Sequence, residues 1–270
     1  MKKTYIFIVL AVAIISVAAK AELQHRPYPG FDLHIDCDTR LAKLGRFELT
    51  KDTGNAKRPS SYSLDRNIPE SCRQTSSRTY QSALKSQGIT DVSIDVGHLV
   101  GANQMDSSVA AIKASMYMGN MVPQFSAFNR AKGAWYQTEL LTECLREKTP
   151  LVVFVGTILG NDTGNDYFLE SHGVKTPDYM FKIVYRSDLN RVQAFVFPNS
   201  PDTKATNLAD YLVTAQGLSH SLDSIEVLDK LQDYLSAIDA HKPIPFDQEL
   251  WEVKASGNKL NCEGTLADNS

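Results

Sequence analysis

The chain has 270 residues, 43% of them hydrophobic and 22% charged, with a formal net charge of −3. That near-neutral balance excludes a protein that binds polyanions through bulk positive charge. The charge is uneven, however: ten Lys/Arg face four Asp/Glu from Arg40 to Lys85, and five face twelve from Pro201 to Ser270, so a basic face on a mildly acidic protein remains open.

Lys2 and Lys3, an apolar run from Tyr5 to Ala19 and the closing Ala19-Lys20-Ala21 fit a secretory signal peptide over residues 1–21, cleaved after Ala21. The run of about 15 residues is short of the roughly 20 that a membrane span needs. Export to the periplasm or the medium is therefore expected. No later stretch is long and apolar enough to hold the protein on a membrane. Residues 22–270 show no linker rich in Gly, Ser or Pro and no internal repeat, so a single domain is expected. Cys37, Cys72, Cys144 and Cys262 all fall in the exported part, where two disulfides form and three pairings are open. Cys262 would tether the C-terminal tail.

Gly30 to Leu44 carries the alternation Phe31, Leu33, Ile35, Cys37 and predicts a strand, with another at Phe47-Glu48-Leu49. Lys51 to Pro59 is rich in turn formers and carries Lys57-Arg58 ahead of Tyr62 and Asp65. Asn67 to Gly88 reads as an irregular connection pinned by Cys72, with a turn of helix at Tyr80 to Leu84. Val92 to Val96 then forms a short β-run that delivers His98 to a turn permitted by Gly97. A helix follows that Asp106, Ser107 or Ser108 can cap, with Val109, Ile112 and Met116 on one face.

Asn120 stands 22 residues after His98, in Gly119-Asn120-Met121-Val122-Pro123-Gln124, and Asn129, Trp135 and Glu139 come next in order. A helix is expected from about Gly133, with Trp135, Leu141, Cys144 and Leu145 as its apolar stripe and Glu139 one turn beyond Trp135.

Asp95-Val96-Gly97-His98, the gap to Asn120-Met121-Val122-Pro123-Gln124, and the succession Asn129, Trp135, Glu139 resemble the DNA/RNA non-specific endonucleases of the ββα-metal finger superfamily. The resemblance implies an α+β fold, a mixed or antiparallel sheet with helices against it and the finger as active site. It also implies that His98 is the general base, Asn120 the one direct protein ligand of Mg²⁺ (with Mn²⁺ as a substitute) and Glu139 the carboxylate that orients the metal's water. Arg58 is the match for a phosphate-binding arginine. Asp95 orders the hairpin.

Three departures accompany the resemblance. Family members read Asp-Arg-Gly-His where this chain has Val96. The spacing from Asn129 to Trp135 is two residues longer than usual. Glu143 stands where several relatives carry a second phosphate-binding arginine, the nearest substitute being Arg146. Compensation by Arg58, Arg130, Lys132 or Arg146 is open.

Leu151 to Val155 predicts a buried strand, and Gly156 to Gly173 a long structural loop containing the sequon Asn161-Asp162-Thr163. Phe181 to Tyr185 and Arg191 to Phe197 alternate well enough to be antiparallel neighbours, followed by Pro198-Asn199. Asp223 is expected to cap a helix whose apolar side is Ile225, Leu228, Leu231, Leu235 and Ile238. The function these features imply is an exported, divalent-metal-dependent endonuclease acting on DNA and RNA; the alternative is a weakened nuclease-like protein that binds nucleic acid or serves as an interaction protein. Oligomeric state and any inhibitor are left open by the sequence.

Overall fold

The computed structural model describes residues 23–238 and 243–251, and the backbone of two short strands at 259–260 and 266–267. The expected signal peptide and Cys262 lie outside the described residues.

In chain order, β1 (Leu23–Tyr28), β2 (Phe31–Asp36) and β3 (Leu41–Leu49) precede α1 (Tyr80–Ser86), β4 (Ile94–His98), α2 (Val109–Ser115) and β5 (Met121–Phe125). Then come α3 (Ser126–Asn129), α4 (Ala134–Arg146), β6 (Leu151–Ile158), α5 (Leu169–His172), β7 (Tyr179–Arg186) and β8 (Arg191–Pro198). β9 (Leu212–Val213), α6 (Ala215–Ser221), α7 (Ile225–Ile238) and β10 (Phe246–Asp247) follow.

The main sheet has the order β1-β2-β3-β6-β7-β8-β10, with β9 also paired to β8. Its pairs are antiparallel except that β10 runs parallel to β8, so the sheet is mixed and the fold is the expected α+β. The single strand expected over Gly30 to Leu44 is a hairpin, because Arg40 takes a left-handed φ of 56° and its N–H closes on the Asp36 carbonyl at 2.7 Å. Phe47 to Leu49 is the end of β3.

Both faces of the sheet are covered, which is why β6 reads as a continuous apolar run. Val153 and Val155 join the core shared with β4, β5 and α4, while Phe154 and Ile158 join a second core under α6 and α7. Among the described side chains of α7, Val227 and Leu231 are buried and the expected Leu228 is only partly so. Ser224 Oγ, rather than Asp223, accepts the Val227 N–H at 3.4 Å. Asp223 is taken by Lys43 Nζ at 2.9 Å and the Leu159 N–H at 2.8 Å, contacts from far along the chain that no local pattern announces.

Cys37 and Cys72 form a disulfide across a sequence separation of 35, which stabilises the fold by about 3–4 kcal/mol if chain entropy dominates. Cys144 is buried in α4. In the loop after β6, Asp178 accepts the Asp162 N–H at 2.9 Å and Asn165 Nδ2 at 3.1 Å, a structural use of its polar residues. Among the described residues, no helix is long and apolar enough to cross a membrane.

β4 and β5 pair antiparallel, with Val96 opposite Pro123 and His98 opposite Met121. Asn199 fastens this small unit to the main sheet: its Nδ2 donates to the Pro123 and Pro177 carbonyls, both at 2.9 Å, and its Oδ1 accepts the Phe125 N–H at 3.1 Å. Gly133 precedes α4 at a place where a Cβ would fall 2.0 Å from the Phe128 carbonyl oxygen. Lys132, with φ 75°, and Gly133 thus absorb the two extra residues before Trp135 as a tight turn.

Candidate active site

His98 ends β4. Gly97 lies within that strand and makes no turn; a Cβ there would fall 1.9 Å from Gln124 Oε1 on the paired strand, so the buried Gln124 side chain packs against the space glycine leaves. His98 is buried, its carbonyl accepts the Trp135 indole N–H at 3.2 Å, and its Nε2 lies 3.4 Å from Met116 Sδ. Burial, aided by the charge of Arg58, holds the imidazole down to about 3 from its ordinary value. The ring is therefore neutral, with a lone pair available, throughout the neutral range.

Asp95 gathers the segment opposite. It accepts Ser126 Oγ at 2.9 Å, Asn129 Nδ2 at 3.1 Å and Arg130 Nε and Nη2 at 2.9 and 2.6 Å. The hairpin-ordering role expected of Asp95 is the geometry found. With its amide nitrogen held, Asn129 keeps a carboxamide oxygen that no described residue engages.

Glu139, one turn along α4 from Trp135, is half-buried. Burial pushes its carboxyl above the usual range, Lys182 pulls it back, and Glu143 adds a further upward push. Lys182, from β7, is itself buried with Nζ 3.9 Å from the Trp135 ring centroid, and burial lowers its ammonium to about 8.

His98, Asn129 and Glu139 line one cavity of about 710 Å³, along with Arg58, Tyr62 and Arg130. Val96, 6% exposed, also borders it, so the missing motif arginine leaves an apolar patch on its wall.

Two expected site residues are not there. Asn120 is fully buried and its carboxamide is spent on the backbone: Nδ2 donates to the Val100 and Ser115 carbonyls at 2.8 and 2.9 Å, and Oδ1 accepts the Val100 N–H at 2.9 Å. It anchors the loop after His98 and is placed away from the cavity, so the ligand role expected of Asn120 does not fit. Arg146 is buried too, its Nε donating to the Thr50 carbonyl at 2.7 Å and its Nη1 reaching Glu143 Oε2 at 3.4 Å, which leaves it no access as a phosphate contact. Glu143 lines the cavity instead.

Asn129, which the motif order contains without a role of its own, is the asparagine that faces the cavity. The folded positions separate the two: Asn129 ends a short helical turn and donates to Asp95, whereas Asn120 is buried just before β5. Tyr62 and Tyr136 also line the cavity, and Lys182, buried beside Trp135, sits in a strand that otherwise reads as core.

The family model for the DNA/RNA non-specific endonucleases matches residues 12–233. The chain belongs to the DNA/RNA non-specific endonuclease family. Among solved structures it is similar to one described as the EndoG/EndoGI complex and the mechanism of EndoG inhibition, with a TM-score of 0.55 and 20% sequence identity, covering 73% of this chain and 83% of that chain. At that identity the likeness concerns the fold. No curated protein matches the chain.

A divalent cation is the cofactor that endonuclease membership brings into question. Among the described residues, no three His, Cys, Asp or Glu side chains gather as a multidentate cage. The donors present are hard oxygens, the unengaged carboxamide of Asn129 and the carboxylate of Glu139, both on the cavity wall. That sparse oxygen set fits Mg²⁺, which keeps several waters and takes few protein ligands.

Proposed function

We propose that this chain is an exported, divalent-metal-dependent endonuclease that hydrolyses internal phosphodiester bonds of DNA and RNA with little sequence preference. The observation that carries the reading is the meeting of a neutral His98, the free carboxamide oxygen of Asn129 and the Glu139 carboxylate on one cavity.

His98 accepts a proton from the water that attacks phosphorus, a step a neutral imidazole can take and a protonated one cannot. Asn129 would hold Mg²⁺ or Mn²⁺ through Oδ1, with Glu139 as the carboxylate that orients its waters. The bound cation supplies positive charge against the phosphate and the departing oxygen. Arg58, exposed on the cavity rim, offers a planar guanidinium to a non-bridging phosphate oxygen. Phosphate contacts of this kind carry no base code, which supports broad substrate use.

Val96 and Glu143 favour a second reading, a weakened relative that binds nucleic acid without turnover, because both remove positive charge from the cavity wall. Nicking of supercoiled plasmid and cleavage of structured RNA by the purified protein, with Mg²⁺, Mn²⁺ or chelator, tests the proposal. Metal-dependent conversion that is lost in His98→Ala supports the nuclease; salt-sensitive DNA binding with no nicking at any metal concentration selects the second reading.

A further inference from the structure

The cavity carries two tyrosines from separate parts of the chain that the hydrolytic chemistry does not use. Tyr62 comes from the connection after β3 and Tyr136 from the first turn of α4, and both are half-buried on the cavity wall. Neither hydroxyl is held by any described residue, so both are left to whatever enters the cavity.

Tyr62 is also fixed in place. Ser63 beside it donates its N–H to the Met116 carbonyl at 3.2 Å and accepts the Met118 N–H at 2.9 Å. Two residues on, the Asp65 carboxylate accepts Arg26 Nε at 2.8 Å, Tyr28 hydroxyl at 2.9 Å and the Asn67 N–H at 2.9 Å. The segment, anchored immediately after Tyr62, holds its ring 6.1 Å, centroid to centroid, from the His98 ring and tilted by 53°. That separation is not a stacked pair, so the Tyr62 face is not consumed by the imidazole. Arg58 lies four residues earlier on the same cavity wall.

A rigid aromatic beside a phosphate-binding guanidinium is the arrangement that grips a nucleotide by base and phosphate together. A base inside a duplex is already stacked and must be pulled out before it can lie on a protein ring, whereas an unpaired base arrives ready. The geometry points to Tyr62 as a nucleobase-stacking platform next to the reacting phosphate, with Tyr136 as a second contact, so that the cavity prefers single-stranded or locally unpaired nucleic acid. This rests on the nuclease reading of the cavity and adds to it a substrate class.

The test has two arms. In the first, kcat/KM is measured with Mg²⁺ on an unstructured single-stranded 30-mer and on its duplex. Wild type favours the single strand, and Tyr62→Leu lowers that ratio by about 5- to 150-fold, the fold-change equivalent of one stacked base. Tyr62→Phe, which keeps the ring face, retains the ratio, and Tyr136→Leu lowers it by less. Preference for duplex in wild type, or equal losses on both substrates in a folded Tyr62→Leu, overturns the proposal. In the second arm, a single strand carrying 2-aminopurine is bound in chelator and its fluorescence followed. Quenching by wild type and Tyr62→Phe but not by Tyr62→Leu supports the platform even if the protein cleaves nothing, an outcome in which the nuclease reading alone fails. Binding without quenching in wild type sinks the platform whatever the activity.

Discussion

Asn120 and Asn129 are the same side chain in two regions of the finger, and their surroundings divide them. Asn120 has given its amide hydrogens and its oxygen to three backbone groups beneath the loop that follows His98. Asn129 has given only its nitrogen, to Asp95, and keeps its oxygen on the cavity wall. A carboxamide's chemistry is decided by where its hydrogen bonds already go, so one asparagine builds the site and the other faces what enters it. The same division separates Arg146, locked onto Thr50 and Glu143, from Arg58, exposed on the rim.

The largest expected effect falls on the cavity side. His98→Ala should lower plasmid conversion by about 10²- to 10⁴-fold, the usual contribution of a general base, while circular dichroism stays that of wild type. Wild-type turnover by a folded variant would remove His98 from the chemistry and with it the division drawn here.

The two asparagines give the direct comparison. Asn129→Ala should lose more activity than the about 10- to 100-fold typical of removing an outer partner of a metal ligand, and need more Mg²⁺ for half-maximal rate, with little change in melting temperature. Asn120→Ala should do the reverse. Stripping its side chain leaves the Val100 N–H and the Val100 and Ser115 carbonyls without partners, at about 1–3 kcal/mol for each buried group. Each kcal/mol is worth roughly 2–4 °C in a chain of this size. If Asn120→Ala instead melts like wild type and shifts only the Mg²⁺ titration, the assignment of the two residues is inverted.

That inversion marks how far the sequence could be read. Period-2 patterns announced β7 and β8, and a continuous apolar run announced β6, because both signals are local to the strand itself. His98, Asp95, Arg58 and Glu139, singled out through the family resemblance, all line one cavity. The fate of Asn120 was not legible, since it depends on carbonyls at Ser115 and Val100 that only the folded loop brings together. Asp223 was lost as a helix cap for a similar reason, being captured by Lys43 across 180 positions. A composition window sees which groups can bond, and the tertiary fold chooses among them.

Acid should expose a smaller contrast, this time between two buried histidines. Burial holds His98 down to about 3 and His34, on β2, down to about 4, the latter helped by the neighbouring His25 charge. The unfolded chain takes up these protons from about pH 6.5 downward, while the folded chain resists until far lower. Stability from both residues is therefore complete above about pH 6.5, falls as pH drops through that value, and levels off only near pH 3–4. Melting temperature against pH should slope downward across that window, and His34→Gln, outside the cavity, should flatten the slope without moving the pH profile of kcat/KM. A change in the catalytic profile with His34→Gln would show that body and cavity are not separable in this way.

The smallest effect is expected where the cavity wall departs from the family's motif. Val96 is 6% exposed and paired with Pro123, yet it borders the cavity, so an arginine at that position can run its stem along the wall and release its charged end into the space. Val96→Arg should raise kcat/KM several-fold at low salt through a charge-assisted contact with substrate phosphate. Most of that gain is long-range attraction, so it should shrink as ionic strength shortens the Debye length from about 30 Å at 0.01 M to about 8 Å at 0.15 M. The added charge also meets Arg58 and Arg130 on the same cavity, which limits the gain and is why it ranks last. Comparing the variant with wild type at those two salt concentrations separates the possibilities. A gain at low salt alone makes Val96 a real deficit in positive charge. No gain at either concentration, with the fold unchanged, means that Arg58 already supplies what the motif arginine provides elsewhere.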